Sequence, residues 1–260
     1  MDRREIVWIV LFLIAGALGL MAFLRYYDEA FPIASLDFKL SREEAAEKAQ
    51  EFLESAGYDI EGYQSAQIFA QDYGEQVFLE RTLGLEEANR LAREWVSVWA
   101  WSIRWFKSLQ KEELQVNLDP GGRVVAFVHR VLETSEGANL AEEEALPIAE
   151  AFLTDVQGFS LDDYDLIERS SVERKARTDH TFTYRKKGFV VGDDGHYRLR
   201  AIVKGDQVGY FAEYVKVPET FTRDYKEIRS RANLLGQVFS IFWLVLAVGM
   251  VVVLIVKYRD

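Results

Sequence analysis

The chain contains no cysteine, and only four prolines and three histidines occur among its 260 residues. Without thiols there is no disulfide framework, no thiolate nucleophile and no cysteine metal site. Any exported domain must therefore hold itself by its apolar core, and the middle of the chain is long enough to build one. His129, His180 and His196 are far apart in sequence and form no pair at the helical spacing that a histidine metal site uses. A phosphate-cradling glycine loop, a dinucleotide fingerprint and a Gly-x-Ser-x-Gly elbow are also missing. No catalytic, cofactor-binding or metal-ligating residue is assigned, and no cofactor is expected. Basic residues are outnumbered 31 to 42, for a net charge of −11. That balance argues against nucleic acid as a partner, because phosphate binding needs a basic footprint. The acidic pairs Asp162-Asp163 and Asp193-Asp194 and the run Glu142–Glu144 fall at helix starts and loops, where carboxylates are solvated or favoured by the helix dipole.

Apolar residues are present in two long uncharged runs. Ile6–Leu24 reads IVWIVLFLIAGALGLMAFL and Leu234–Val256 reads LLGQVFSIFWLVLAVGMVVVLIV. A bilayer is crossed by about 20 apolar residues in a helix, since every backbone amide must be satisfied within the segment. Both runs meet that length, and Trp8, Tyr26, Tyr27 and Tyr258 stand where an interfacial aromatic belt belongs. A cleaved signal peptide is the alternative for the first run, but signal h-regions span about 7–15 residues, so an uncleaved anchor is expected. Arg3 and Arg4 precede the first run, which places the N-terminus in the cytoplasm and exports the middle segment. Arg223, Lys226, Arg229 and Arg231 before the second run, against Lys257 and Arg259 after it, argue more weakly for the opposite sense. The first helix is taken to decide. The basic stretch before the second run is placed to touch lipid headgroups.

The middle segment repeats itself. Leu40-Ser-Arg-Glu-Glu-Ala-Ala-Glu-Lys-Ala-Gln-Glu-Phe52-Leu53 aligns with Leu140-Ala-Glu-Glu-Glu-Ala-Leu-Pro-Ile-Ala-Glu-Ala-Phe152-Leu153, and each copy then reaches Gly57-Tyr58 or Gly158-Phe159, with one residue inserted in the second. The first copy predicts a helix, with a Ser41/Glu44 capping box, an apolar stripe at Ala45, Ala49, Phe52, Leu53 and Ala56, and a glycine stop. The second carries the stripe Ala145, Ile148, Ala149, Phe152, Leu153 and Val156, with Pro147 predicting a kink or a late start. Alternation follows each helix: a strand over Val96–Phe106, a hairpin of Glu113–Leu118 and Arg123–Glu133 around Asp119-Pro120-Gly121-Gly122, strands over Tyr164–Lys175 and His180–Lys186 around a Thr178-Asp179 turn, and Tyr197–Val203 with Gln207–Val217 around Lys204-Gly205-Asp206. An extra helix over Leu85–Glu94 interrupts the first unit only, and Gly192–Gly195 is a loop.

The helix followed by a hairpin carrying Val116-Asn-Leu-Asp-Pro-Gly-Gly-Arg-Val124 resembles PepSY-like units, found in bacterial exported and membrane proteins. The order of anchor, Leu85-Glu-Glu-Ala-Asn-Arg-Leu91, Ser102-Ile-Arg-Trp-Phe106, Thr178-Asp-His-Thr-Phe182 and second span resembles the N-terminal region of bacterial CPBP-type intramembrane metalloproteases over essentially the whole chain. That resemblance implies a following multi-helix membrane domain with a Glu-Glu-x-x-x-Arg motif and metal-binding histidines. Glu86-Glu87-Ala88-Asn89-Arg90 has its arginine one position early and lies outside any span, so no catalytic residue carries over, and the chain is expected to be a front portion of such a protein.

The fold class expected is α+β, two helix-on-antiparallel-sheet (PepSY-like) units between two transmembrane helices. The boundaries are 1–27 for the first anchor, 28–135 and 136–220 for the units, and 221–260 for a juxtamembrane helix and the second span. Trp95, Trp99, Trp101 and Trp105 share one face of the first predicted strand. Large aromatics dominate core burial, so a packed sheet core is one reading, a peptide groove formed by Trp99, Trp101 and Trp105 beside a sheet edge is a second, and contact with the membrane surface is a third. The expected function is a noncatalytic regulatory or substrate-handling region of an intramembrane protease in a bacterial membrane; the alternative is a self-standing membrane-anchored sensor that binds a peptide or protein. The lipid bilayer, a peptide or protein, and a following membrane domain are the expected partners.

Overall fold

The computed structural model describes residues 3–30 and 39–257. Tyr258 and Arg259, assigned to the interface beyond the second span, and residues 31–38 of the first predicted unit lie outside them. The chain divides into two compact units, Met1–Lys216 and Val217–Asp260.

The second unit is one uninterrupted helix, α6 (Glu219–Lys257). Its charged first part and the expected second span are thus a single element of ~58 Å at the usual rise. At the other end of the chain, α1 runs Arg3–Ala30. Both helices are long and apolar enough to cross a membrane, with mean hydropathy 2.7 and 2.9 and none of either apolar stretch buried.

Between them lies an α+β body built on one eight-stranded antiparallel sheet. The strands are β1 (Gln64–Gln71), β2 (Trp99–Phe106), β3 (Glu113–Leu118), β4 (Val124–Arg130), β5 (Tyr164–Glu173), β6 (Thr178–Val191), β7 (Gly195–Lys204) and β8 (Gln207–Lys216). Their spatial order is β1-β2-β3-β4-β8-β7-β6-β5. Each repeat thus supplies a helix and a four-stranded meander, and the last strand of one meander pairs with the last of the other.

The repeat helices are α2 (Arg42–Ser55) and α5 (Glu142–Ala151). Ser41 and Glu44 form the expected capping box, with hydrogen bonds of 3.2 and 2.8 Å. After α2, Gly57 takes φ +83, and the amides of Gly57 and Tyr58 donate to Glu54 and Leu53 carbonyls, a Schellman closure that only a residue tolerant of positive φ permits. Pro147 does not delay α5, which starts at Glu142, the counterpart of Arg42. The extra residue of the second copy is absorbed just after it, where Phe152–Val156 form a π turn and the Gln157 amide donates to the Phe152 carbonyl. That widened turn rotates Val156 out of its expected stripe and leaves it 49% exposed.

Both helices cover the same face, and the two halves share one core. Phe127 and Phe211 face each other across β4 and β8. Phe52 and Tyr58 pack on Phe127 at 5.5 and 5.1 Å, Phe152 and Phe159 pack on Phe211 at 5.6 and 6.0 Å, and Phe52 meets Phe152 at 6.4 Å. Leu53 and Leu153 at the helices' inner faces are fully buried, each worth about 1.5–3 kcal/mol of apolar transfer.

Two of these expected boundaries are revised. The strand predicted from Val96 begins at Trp99, although Val96 and Val98 are buried ahead of it. The turn placed at Thr178-Asp179 is Arg174–Arg177 instead, because Asp179 is buried in β6, where it binds the Arg177 guanidinium at 2.7 Å. Two elements were not anticipated, β1 and the helix α3 (Tyr73–Leu83), which with α4 (Leu85–Glu94) forms a hairpin inserted between β1 and β2. The hairpin reaches the second half of the sheet: a Cβ on Gly195 of β7 would lie 2.6 Å from the Phe78 ring, and one on Gly192 would lie 2.7 Å from Thr82.

Candidate functional site

Alternation along β2 places Trp99, Trp101, Ile103 and Trp105 on the face that carries the helices. Trp105 is 5% exposed and belongs to the core beside its register partner Leu114. Trp99 and Trp101 are half-buried and enclose Phe69 of β1, with ring centroids at 5.9 and 5.1 Å. Trp95 does not share this face. It caps α4, is 46% exposed, and has the Lys186 ammonium 5.1 Å from its ring.

The sheet has two outer strands, and they differ in chemistry. β5 carries Asp165, Glu168, Arg169 and Glu173 and is interrupted by a register shift between Leu166 and Glu168. β1 reads QSAQIFAQ, has no charge and no proline, pairs with β2 in unbroken register over all eight residues, and exposes Ile68 to 61%. Charges and bulges are the usual means by which an edge is protected from pairing with another chain. β5 has both of them and β1 neither.

A second polar locus lies where the two half-sheets meet. Backbone pairing between β4 and β8 extends over three residue pairs, Ala126 to Val128 against Ala212 to Tyr210. Beyond them side chains take over. Arg123 grips Glu213 with two hydrogen bonds of 2.5 and 2.6 Å and has Asp119 at 3.3 Å. The Tyr197 hydroxyl donates to the same Glu213 carboxylate at 2.7 Å. Glu75 of α3 accepts the Val215 backbone N–H. Glu75 is 6% exposed, and burial pushes its carboxyl up to about 8, with Asp72 and Glu213 adding to the rise and the Val215 hydrogen bond opposing it. Burial also raises Glu213, against Arg123 and Tyr197, which lower it. Beside this network is a cleft of about 370 Å³ lined by Lys39, Arg93, Trp95, Ser97, Pro120 and Arg123 among others. The signal for Glu213 was an acid at an inward position of an alternating strand; Glu75 gave none, since α3 itself was unforeseen.

No family model, no curated protein and no solved structure matches the chain.

The remaining polar residues are used locally. His129 meets Glu112 at 2.9 Å, and burial lowers its pKa. His180 is buried between the Ser171 hydroxyl and the Leu140 carbonyl, at 2.8 and 2.9 Å; the carbonyl can only accept, so Nε2 carries a proton. His196 meets Asp194 at 3.2 Å. Among the described residues no three His, Asp or Glu side chains converge as a metal set. Glu87, Arg90 and Glu94 form an exposed ion triad along α4, with both contacts at 2.6 Å.

Proposed function

We propose that the sheet body is a noncatalytic, membrane-tethered module that takes up an extended polypeptide segment along β1. The single observation that carries this reading is the uncharged, unbulged, eight-residue edge at β1 opposite a charged and bulged edge at β5. An added strand gains main-chain hydrogen bonds from such an edge and gains specificity from alternate side chains. On the open face Ala66, Ile68 and Ala70 favour an apolar side chain opposite Ile68. On the other face Phe69 packs with Trp99 and Trp101, and Gln67 lies beside Ile103, while Trp105 serves the core. The apolar character of α1 and α6 supports a bacterial cell membrane as the location, with the sheet body outside the cytoplasm by the charge rule at Arg3 and Arg4.

The helix-and-meander units are read as PepSY-like, and the module as the regulatory or substrate-handling region of a CPBP-type intramembrane metalloprotease, as the sequence resemblance implies. Genomic DNA beyond codon 260 tests that part: a continuing frame with metal motifs supports it, and a stop codon followed by an unrelated gene counts against it. The binding reading is tested separately. A fluorescent eight-residue peptide of alternating valine and threonine is titrated into the full chain in detergent and followed by anisotropy. Ile68→Lys should weaken binding at least tenfold and Val172→Lys on β5 should leave it unchanged. Absence of binding, or equal effects of the two variants, rejects the edge as a receptor.

A further inference from the structure

We propose that the α3–α4 hairpin is a proton-operated clasp that closes over the junction of the two half-sheets at mildly acidic pH and loosens as the pH rises. The geometry is that of an inserted element reaching across. The hairpin belongs to the first repeat, between β1 and β2, yet its contacts lie on the second, with Phe78 on Gly195, Thr82 on Gly192 and Glu75 on the Val215 amide. The corresponding connection in the second repeat, β5 to β6, is a short turn over residues 174–177. The insertion is therefore not needed to complete a meander.

Glu75 is the group that makes this contact sensitive to protons. Val215 lies beyond the last β4–β8 pair, where β4 no longer offers an acceptor, and its N–H is accepted by a Glu75 carboxyl oxygen. A neutral carboxyl fills that role without bringing charge into the core. An ionised one does so beside two other acids. The charged groups around it are Asp72 at the α3 N-cap, Glu213 on β8 with its partner Arg123 from the β3–β4 turn, and, through Glu213, the Tyr197 hydroxyl on β7. Arg123 is already committed to Glu213, and among the described residues no cation acts appreciably on Glu75.

The sign follows from the raised folded value. Glu75 in the released hairpin titrates near its ordinary 4.5, and in the docked hairpin near 8. Docking takes up a proton anywhere between those limits. The contribution is fully present below the lower value, falls about tenfold in equilibrium constant per pH unit above it, and is gone above the upper one. Release uncovers Val77, Phe78 and Leu79, each now at most 8% exposed, and the adjacent part of the second half-sheet.

Hydrogen exchange of the full chain in detergent, corrected for intrinsic rates, tests the clasp at pH 6 and pH 9. Amides of residues 73–98 should lose at least tenfold protection on going to pH 9, while those of α2 and α5 hold theirs. Glu75→Gln keeps the acceptor for Val215 and removes the titration, so its hairpin should be equally protected at both values. Unchanged protection in the wild type, loss spread equally over α2 and α5, or a pH effect that persists in Glu75→Gln would each overturn the proposal. Since the readout is local protection and not peptide binding, failure here is separate from failure of the β1 edge.

Discussion

A carboxylate as enclosed as that of Glu213, at 2% exposure, is stable only if its charge is met, because desolvating an ion costs several kcal/mol. Arg123 meets it with a two-pronged contact and Tyr197 with a hydroxyl. The pair also joins β4 to β8 where the backbone no longer does. Arg123→Met should therefore destabilise the body by about 2–4 kcal/mol, less than a fully enclosed pair would lose because the arginine stays half in water. Adding Glu213→Gln to that variant should return at least half of the loss, since the orphaned charge is then gone. Urea denaturation in detergent followed by tryptophan fluorescence measures both, and additive losses in the double variant would show that the two side chains are uncoupled. Much of this locus was hidden in the sequence. Asp119 reads as a turn residue, Arg123 as the first residue of the strand after it and Glu213 as one member of an alternating strand, because pairing across 90 residues leaves no local spacing to detect.

Elements were legible where a period or a cap marked them. α2 carries its capping box and glycine stop, the β3–β4 hairpin carries Asp119-Pro-Gly-Gly, and β7 alternates buried and half-exposed side chains along its whole length. β1 was illegible because three glutamines and two alanines are poor strand formers, and its place comes from pairing with β2. α3 was illegible because Val77, Phe78 and Leu79 are buried in succession, where a surface helix would space its apolar residues by three or four. The same contest between local and tertiary demands explains the π turn. The inserted residue of the second copy cannot be accommodated by a longer helix, since Phe152, Phe159 and the Gly158 stop are all fixed to the core. The backbone widens instead, and Val156 is the residue turned outward. Deleting Val156 restores the spacing of the first copy, from Phe52-Leu53 to Gly57-Tyr58. The deletion should cost no more than about 1 kcal/mol, the scale of a typical tolerated change. Deleting Ser55 from α2, which has no surplus residue, should cost several times more. Melting temperatures of the two deletions in the same detergent decide it, and equal losses would mean that the widened turn is itself required.

At the scale of the whole molecule, a duplicated sequence has become one sheet. Boundaries at 135/136 fall on the β4–α5 connection, but the two units are not separate bodies, since β4 pairs with β8 and the aromatic side chains of both repeats meet at a common centre. Phe127 is fully buried at that centre, faces Phe211, and takes contacts from Phe52 and Tyr58. An aromatic cluster shared in this way couples the halves, because a cavity opened at Phe127 also removes support from Phe211 and, through it, from Phe152 and Phe159. Phe127→Ala should lower stability by about 3–5 kcal/mol, as large-to-small changes in a closed core do. The distribution of the loss is the sharper test. Hydrogen exchange should show α2 of the first repeat and α5 of the second losing protection by the same factor, since they open together. If α2 loses protection and α5 keeps its own, the repeats unfold as independent units and the three-pair junction is only a contact between neighbours.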